Sequence, residues 1–153
     1  MAQSEFTYQS AEDVISAALM IMEQRIIPRE DMSSSSAAMN YVRLLFAGRE
    51  CEYFYALFLD SQNKLIEASE MFRGTIDGAA IYPREVVKEA LKLNASAVIF
   101  AHNHPSGCPD PSTADQRITG RLKDALALVD VRVLDHLVVG DLQVASFAER
   151  GIL

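Results

Sequence analysis

The stretch from Ala95 to Asp115, ASAVIFAHNHPSGCPDPSTAD, decides how this chain folds. Its first seven residues form a short apolar run, the pattern of a β-strand that is covered on both faces. Two histidines follow, and then a loop with three prolines and a glycine. A helical apolar pattern begins after Asp115. A buried strand that leads through a turn-rich loop into a helix is typical of an α/β sheet, whose ligand sites gather at the carboxyl ends of strands.

The patterns on both sides of this stretch complete an α/β domain. The aromatic-rich run at 53–60 and the run at 65–72 predict a β-hairpin, and RGTIDGAA (73–80) predicts a loop or an irregular strand. VRVLDHLVVG (131–140) and QVASF (143–147) predict the last two strands. We therefore expect an α/β/α layered domain built on a mixed sheet. Helices with inward-facing residues are predicted after Pro83 (Val86, Val87, Ala90, Leu91) and after the histidine loop (Ile118, Leu122, Ala125, Leu126, Val129).

Two further helical patterns open the chain. The first covers 10–26, and the second covers 33–48, with a serine cap at its start and Gly48 as its stop. The four serines could also form a disordered linker, but they lead directly into an apolar pattern, which favours a cap. We expect an N-terminal helical segment, 1–48, that packs on a core domain, 49–153. The expected apolar faces are Val14, Ala18, Ile21 and Met22 in the first helix and Tyr41, Val42, Leu45 and Phe46 in the second, with the methionines and aromatic residues in the core.

Composition and charge narrow the classes of function. The 153 residues carry a formal net charge of −7 with the basic residues scattered, which argues against general affinity for nucleic acid. No apolar run reaches the roughly 18 residues that span a bilayer, and the N-terminus lacks the features of a signal peptide. Only 2 cysteines are present, too few for a disulfide framework. These features together predict a cytoplasmic protein without a membrane partner.

Two histidines and an aspartate form a candidate metal site. His102 and His104 lie two apart in extended chain, so their side chains leave the strand on the same side and can converge. Asp115 can return towards them because the prolines and glycine force turns in between. Two imidazoles and one carboxylate make a three-ligand site for Zn²⁺ with a fourth position for water. Asp115 could instead be only a carboxylate favoured at a helix N-terminus, and Ser112 only a helix cap.

The motifs of this region resemble a known family. His102-x-His104, seven residues, Ser112, two residues and Asp115 reproduce the spacing of the JAMM (MPN-plus) metallopeptidase motif. GTIDGAAIYPREVVKEAL, AHNHPSG, PSTAD and DHLVVG resemble the RadC family, whose C-terminal domain carries that motif. The resemblance runs from about Ala47 to Leu153 and implies a three-layer, mixed-sheet JAMM/MPN domain of the cytidine-deaminase-like type. The chain resembles the short stand-alone members of the family, since we expect its length to be insufficient for the helix–hairpin–helix region of full-length RadC proteins.

The family motif also requires a glutamate at the head of the first core strand. Glu50 and Glu52 have the same strand parity, so the alternation of side chains cannot separate them. RadC-like sequences place this glutamate eight residues before the residue that matches Asp60, which selects Glu52.

The resemblance implies a zinc-dependent hydrolase of peptide or isopeptide bonds. In this scheme His102, His104 and Asp115 hold Zn²⁺, which lowers the pKa of a bound water. Glu52 accepts the proton of this water and returns it to the leaving amine, and Ser112 donates a hydrogen bond to the developing oxyanion. The expected partner is a protein or peptide substrate. Rival interpretations are a non-catalytic MPN-type interaction module and a DNA-repair accessory protein, although net acidity argues against direct binding of DNA.

Other polar residues near the site receive no catalytic role. His136 is the main rival of Asp115 as a metal ligand, but it lies in a separate predicted strand, and we expect it to pack or to support a ligand. Cys108 could bind zinc as a thiolate, although a loop thiol is more often a bystander. Asp110 is expected to be a solvated carboxylate. Cys51 has no partner in the sequence, and the match of Arg84 and Glu85 to the family pattern suggests no chemistry.

Overall fold

The computed structural model describes residues 10–25, 31–74 and 81–153. The predicted loop at 73–80 lies mostly outside these ranges. Within them, no helix is long and apolar enough to cross a membrane. The elements follow the order α1 (Ala11–Arg25), α2 (Ser35–Phe46), β1 (Tyr53–Leu59), β2 (Leu65–Arg73), α3 (Pro83–Lys92), β3 (Ala97–Asn103), α4 (Thr113–Ala127), β4 (Arg132–Val139) and β5 (Val144–Ser146).

The five strands form one mixed sheet in the order β2-β1-β3-β4-β5. β3 and β4 are parallel and are connected through α4, whereas β1–β2, β1–β3 and β4–β5 are antiparallel. Every residue of the central strand β3 is buried, because neighbouring strands cover both of its edges and helices cover both of its faces. The predicted mixed sheet, the hairpin and the covered strand are therefore confirmed.

Two apolar cores lie on opposite faces of this sheet. Successive side chains of a strand point to opposite faces, so β1 places Leu57 in one core and Phe58 in the other. α2 covers the first face and the α3–α4 pair covers the second, which confirms the three-layer arrangement. The first core contains Tyr41, Val42, Leu45 and Phe46 of α2, and the second contains Val86 and Ala90 of α3 with Ile118, Leu122 and Leu126 of α4.

The predicted start and end of α2 are also confirmed. The side chain of Ser34 accepts a hydrogen bond from the amide of Ala37, so the serine run contains the N-cap of the helix. Beyond the other end, Gly48 has a φ of 72°, in the left-handed region that glycine adopts without strain. The helix therefore ends where the sequence predicted.

The inward faces of α1 and α3 are partly wrong in the sequence prediction. Val14, Met20 and Ile21 are 47%, 59% and 40% exposed. α1 is apolar on more than one side, so its spacing did not decide which stripe packs against α2. In α3 the buried stripe is Val86 and Ala90, and Leu91 is 57% exposed because consecutive helical residues are rotated by about 100°. Ala18 and Met22 of the predicted face are partly buried, and so are Ile15 and Leu19, which were not predicted to face inward.

Candidate metal centre

The two histidines of the loop converge at the carboxyl end of β3. His102 is the second-last residue of β3, is fully buried, and pairs with Phe54 of β1 and Val138 of β4. His104 follows the strand, and its amide donates to the carbonyl oxygen of Val139 at 2.8 Å. The Nε2 atoms of the two imidazoles lie 2.9 Å apart. The structure therefore brings these two side chains to one point, as the spacing predicted.

Asp115 reaches the same point from the first turn of α4. Its side chain is buried, with Oδ1 3.3 Å from Nε2 of His102 and Oδ2 3.4 Å from Nε2 of His104. Oδ2 also accepts the amide of Ser112 at 2.7 Å, and the Ser112 hydroxyl oxygen accepts the amide of Asp115 at 3.1 Å. This reciprocal pair is a capping box. The two interpretations of the sequence are thus compatible, because the helix cap holds the carboxylate against both imidazoles.

Glu52 approaches the histidines from the neighbouring strand. It lies immediately before β1, and a carboxylate oxygen and one ring nitrogen each of His102 and His104 all lie within 4.8 Å of one another. These three residues form a group that could hold a metal ion. Glu50 is exposed and is outside this group. Of the two glutamates that alternation could not separate, the structure therefore brings Glu52 to the histidines.

Asn103 fixes the segment that carries Glu52. Its Oδ1 accepts the amide of Tyr53 at 2.8 Å, and its Nδ2 donates to the carbonyl oxygen of Cys51 at 2.9 Å. The side chain thereby holds the backbone on both sides of Glu52. Sequence reasoning missed this residue, although its position between the two histidines was a usable signal. An amide provides one donor and one acceptor group, which this pair of contacts requires.

Replacement of Asn103 by alanine should destabilise the fold and displace Glu52. The change leaves the part-buried amide of Tyr53 without an acceptor, at a cost of about 1–3 kcal/mol, and removes the donor to the carbonyl oxygen of the exposed Cys51, which water can replace. Since about 1 kcal/mol shifts the melting temperature of a chain of this size by roughly 2–4 °C, calorimetry should detect the loss. Asn40→Ala is the control, because Asn40 is an exposed asparagine of α2. A melting temperature for Asn103→Ala equal to that of the control would contradict the assigned role.

The pKa values of Asp115, His102 and His104 are shifted in different directions or by different causes. Burial opposes the ionisation of Asp115, but its contacts with His102 and His104 outweigh this and hold the pKa of its carboxyl well below the usual range. Burial lowers the pKa of His102, so this imidazole is neutral near neutral pH. The Asp115 carboxylate raises the pKa of His104, which is only partly buried. A cation is therefore favoured beside His104 and Asp115, whereas His102 offers a neutral ring.

The hydrogen bonds of His104 require a proton or a metal ion between the two rings. Nδ1 of His104 lies 2.8 Å from the carbonyl oxygen of Cys108. A carbonyl can only accept, so Nδ1 carries the hydrogen and Nε2 faces His102. Two Nε2 lone pairs at 2.9 Å beside a carboxylate repel one another unless a proton or a metal cation lies between them. Two imidazole nitrogens and carboxylate oxygens are also a donor set that fits a divalent transition metal.

His136 lies behind the site. It is fully buried, and its Nε2 is 2.8 Å from Nδ1 of His102, the ring nitrogen on the side away from His104. Its Nδ1 contacts the hydroxyl of Thr119, a residue one helical turn after Asp115. The structure thus places Asp115, and not His136, next to both Nε2 atoms. Thr119 was missed by sequence reasoning, and its spacing of four residues from Asp115 was the available signal.

The remaining polar residues of the loop face outward. Cys108 is exposed and contributes its carbonyl oxygen to His104, whereas its thiol lies 3.5 Å from Oδ2 of Asp110. Asp110 is exposed and pairs with Arg150 at 3.0 Å. Cys51, Arg84 and Glu85 are exposed as well.

A groove of about 440 Å³ opens beside His104. One wall is the end of α2 with the residues that follow it, and the other is the turn between β4 and β5. Its lining includes Arg43, Arg49, Asn103, His104 and Asp141. Of the candidate centre, His104 lines this groove and is accessible from it.

Comparisons with known proteins find relatives of this chain. A protein 60% identical over 140 residues, named a UPF0758 protein, occurs in Vibrio cholerae serotype O1; the match covers 92% of this chain and 88% of that protein. A second UPF0758 protein of the same organism is 54% identical over 151 residues, which cover 99% of this chain and 95% of that protein. One from Cellvibrio japonicus is 61% identical over 122 residues, 80% of this chain but only 54% of that protein. The family model described as RadC-like JAB domain matches residues 32–152, and the chain therefore belongs to the RadC family.

Proposed function

We propose that this chain is a zinc-dependent hydrolase that cleaves peptide or isopeptide bonds. The observation that carries the proposal is the convergence of two imidazole Nε2 atoms, the Asp115 carboxylate and Glu52 at the carboxyl end of β3. Membership of a family with a JAB domain supports a hydrolase. A site that only had to bind a structural ion with His102, His104 and Asp115 would not need a further carboxylate from the segment before β1.

In this proposal His102, His104 and Asp115 hold the ion. Zn²⁺ bound there would supply Lewis acidity and make water a usable nucleophile near neutral pH. Three protein ligands with one open position are the arrangement of catalytic rather than structural zinc sites. Asp115 is suited to this role because its low pKa keeps it anionic.

Glu52 and Ser112 would carry out the proton transfer and the stabilisation of charge. Glu52 would accept a proton from the attacking water on a carboxylate oxygen and would deliver it to the nitrogen of the leaving amine. Ser112 would donate a hydrogen bond to the oxygen of the scissile carbonyl as negative charge develops. Its hydroxyl oxygen accepts the amide of Asp115, so its own hydrogen is free to point towards a substrate.

The groove beside His104 suits a protein or peptide substrate. The groove is open to solvent beside His104. Its walls carry side chains of both signs of charge, Arg43 and Arg49 on one side and Asp141 on the other. A polypeptide segment could lie in it with one amide next to His104. A closed pocket would favour a small molecule instead.

The direct test measures metal content and amide hydrolysis on the same preparation. Purified protein should carry one zinc per chain by elemental mass spectrometry. The zinc-loaded protein should cleave members of a library of fluorogenic peptides and lysine-linked isopeptides, and the chelated protein should not. Zinc binding without hydrolysis of any amide would favour the non-catalytic interaction module. Binding of DNA that weakens steeply with salt would favour the repair accessory instead.

A further inference from the structure

We infer that Thr119 and His136 are positioning residues that fix where the hydrogen sits on His102, so that its Nε2 presents a lone pair to the metal. The inference deepens the proposed function, because it rests on His102 as a ligand. It concerns a buried chain of hydrogen bonds that runs from α4 through β4 to β3. The four residues in this chain are Asp115, Thr119, His136 and His102.

The first hydrogen bond of this series, between Thr119 and Asp115, has only one possible direction. The hydroxyl oxygen of Thr119 lies 2.6 Å from the backbone carbonyl oxygen of Asp115. A carbonyl oxygen can only accept, so the hydroxyl of Thr119 must donate its single hydrogen to it. The opposite arrangement would leave two oxygen atoms at this distance without a hydrogen between them. This contact therefore sets the direction of every later bond.

The direction of this first bond determines which ring nitrogen of His136 carries a hydrogen. The hydroxyl oxygen of Thr119 also lies 2.5 Å from Nδ1 of His136. Because the hydroxyl hydrogen is already committed to Asp115, the hydroxyl can only accept from the ring, and Nδ1 of His136 carries a hydrogen. A neutral imidazole has one hydrogen, so Nε2 of His136 is an acceptor. The ring is fully buried, which disfavours its charged form.

The last bond decides the state of His102. Nε2 of His136 lies 2.8 Å from Nδ1 of His102. Since Nε2 of His136 accepts, Nδ1 of His102 donates, and the neutral ring of His102 keeps its lone pair on Nε2. That atom is the one that faces His104 and Asp115. Metal-ligating histidines commonly need a partner for the second ring nitrogen, and here the partner is itself oriented by a fixed carbonyl.

Packing prevents these groups from exchanging their roles. The side chains of Thr119, His136 and His102 are at most 2% exposed. His136 lies between Phe54 and Phe147, with ring centroids 5.4 Å and 4.6 Å away. Its backbone amide is held by the Asp135 carboxylate at 2.7 Å. Because the His136 ring cannot turn, the direction of its hydrogen bonds can change only if its hydrogen moves from one ring nitrogen to the other.

The test compares Thr119→Val with Thr119→Ser. Valine keeps the shape of threonine but removes the hydroxyl, so Nδ1 of His136 loses its acceptor. His136 then carries its hydrogen on Nε2 and donates to His102, which moves the hydrogen of His102 onto the metal-facing Nε2. Serine keeps the hydroxyl and loses only a methyl group. Zinc affinity, measured by competition with a chelator, should fall about 10–100-fold in the valine variant and stay close to wild type in the serine variant.

A spectroscopic measurement tests the same inference without any zinc. In the metal-free wild type, nitrogen NMR of the imidazoles should show a hydrogen on Nδ1 and none on Nε2 of His102, and Thr119→Val should reverse this. The inference would be overturned if wild type and Thr119→Val bound zinc with equal affinity, or if Thr119→Ser bound zinc more weakly than Thr119→Val. A hydrogen on Nε2 of His102 in the wild type would also overturn it. None of these readouts requires hydrolysis, so failure of the proposed enzymatic function alone would leave them unchanged.

Discussion

Replacement of Glu52 by glutamine should reduce amide hydrolysis about 10²–10⁴-fold and should leave one zinc bound per chain. Glutamine has nearly the same shape as glutamate but cannot accept a proton at neutral pH. If Glu52 moves the proton between water and the leaving amine, its loss removes this step and little else. Turnover of the best fluorogenic substrate and zinc content by elemental mass spectrometry measure the two expectations on one sample.

Glu50→Gln is the matched control for this experiment. Glu50 lies two residues earlier in the same segment, and it is exposed and outside the group that contains the histidines. It should therefore keep wild-type turnover. Full activity of Glu52→Gln would refute the assignment of the general base. Loss of zinc from Glu52→Gln would show that this carboxylate is a ligand, which is a different role from the one proposed here.

His104→Ala should abolish stoichiometric binding of zinc. The change removes one of three proposed ligands, and His104 is only partly buried, so little packing is lost with it. His102→Ala should have the same effect on zinc but also leaves a cavity, because His102 is fully buried. Cys108→Ser is the control, since the thiol faces outward beside the same loop. Full zinc content in both histidine variants, or its loss in the cysteine variant, would contradict the ligand set.

Thermal unfolding provides a second readout of the same variant. A ligand present at 100 times its dissociation constant stabilises a folded chain by about 2.7 kcal/mol. Addition of zinc to the metal-free wild type should therefore raise its melting temperature by several degrees, and His104→Ala should not respond. Unfolding of the metal-free wild type should still be cooperative, because the cores on both faces of the sheet contain no proposed ligand. Loss of all cooperative melting on chelation would contradict this.

The parts of the fold that the sequence predicted correctly are those in which the pattern of apolar residues is compatible with only one arrangement. The run at 95–101 is apolar at nearly every position, so it could only be covered on both faces. The face of α1 was predicted only in part, because apolar residues lie on more than one side of that helix. Leu91 is exposed because the helix rotates it away from the buried stripe of α3, which contains Val86 and Ala90.

Within the candidate site, the sequence predicted the residues whose type and spacing alone indicate metal binding. His102, His104 and Asp115 stand out as donors at a spacing that permits convergence. Asn103 and Thr119 have ordinary polar side chains, and their roles depend on backbone groups that come near them only in the folded sheet. Glu52 is intermediate, because strand parity allowed two glutamates and only the resemblance to RadC-like sequences selected the one that the structure brings to the histidines.

The origin of the donors on separate segments has a consequence for how the molecule opens. Glu52 precedes β1, the histidines end β3, and Asp115 begins α4, so the candidate centre joins three segments that are distant in the chain. A bound ion would act there as a reversible cross-link. Openings that separate β1 from β3, or lift the first turn of α4, would have to release the ion before they could proceed. Amide hydrogen exchange in these segments would then slow with metal occupancy, while the hairpin strand β2 continued to open at its own rate.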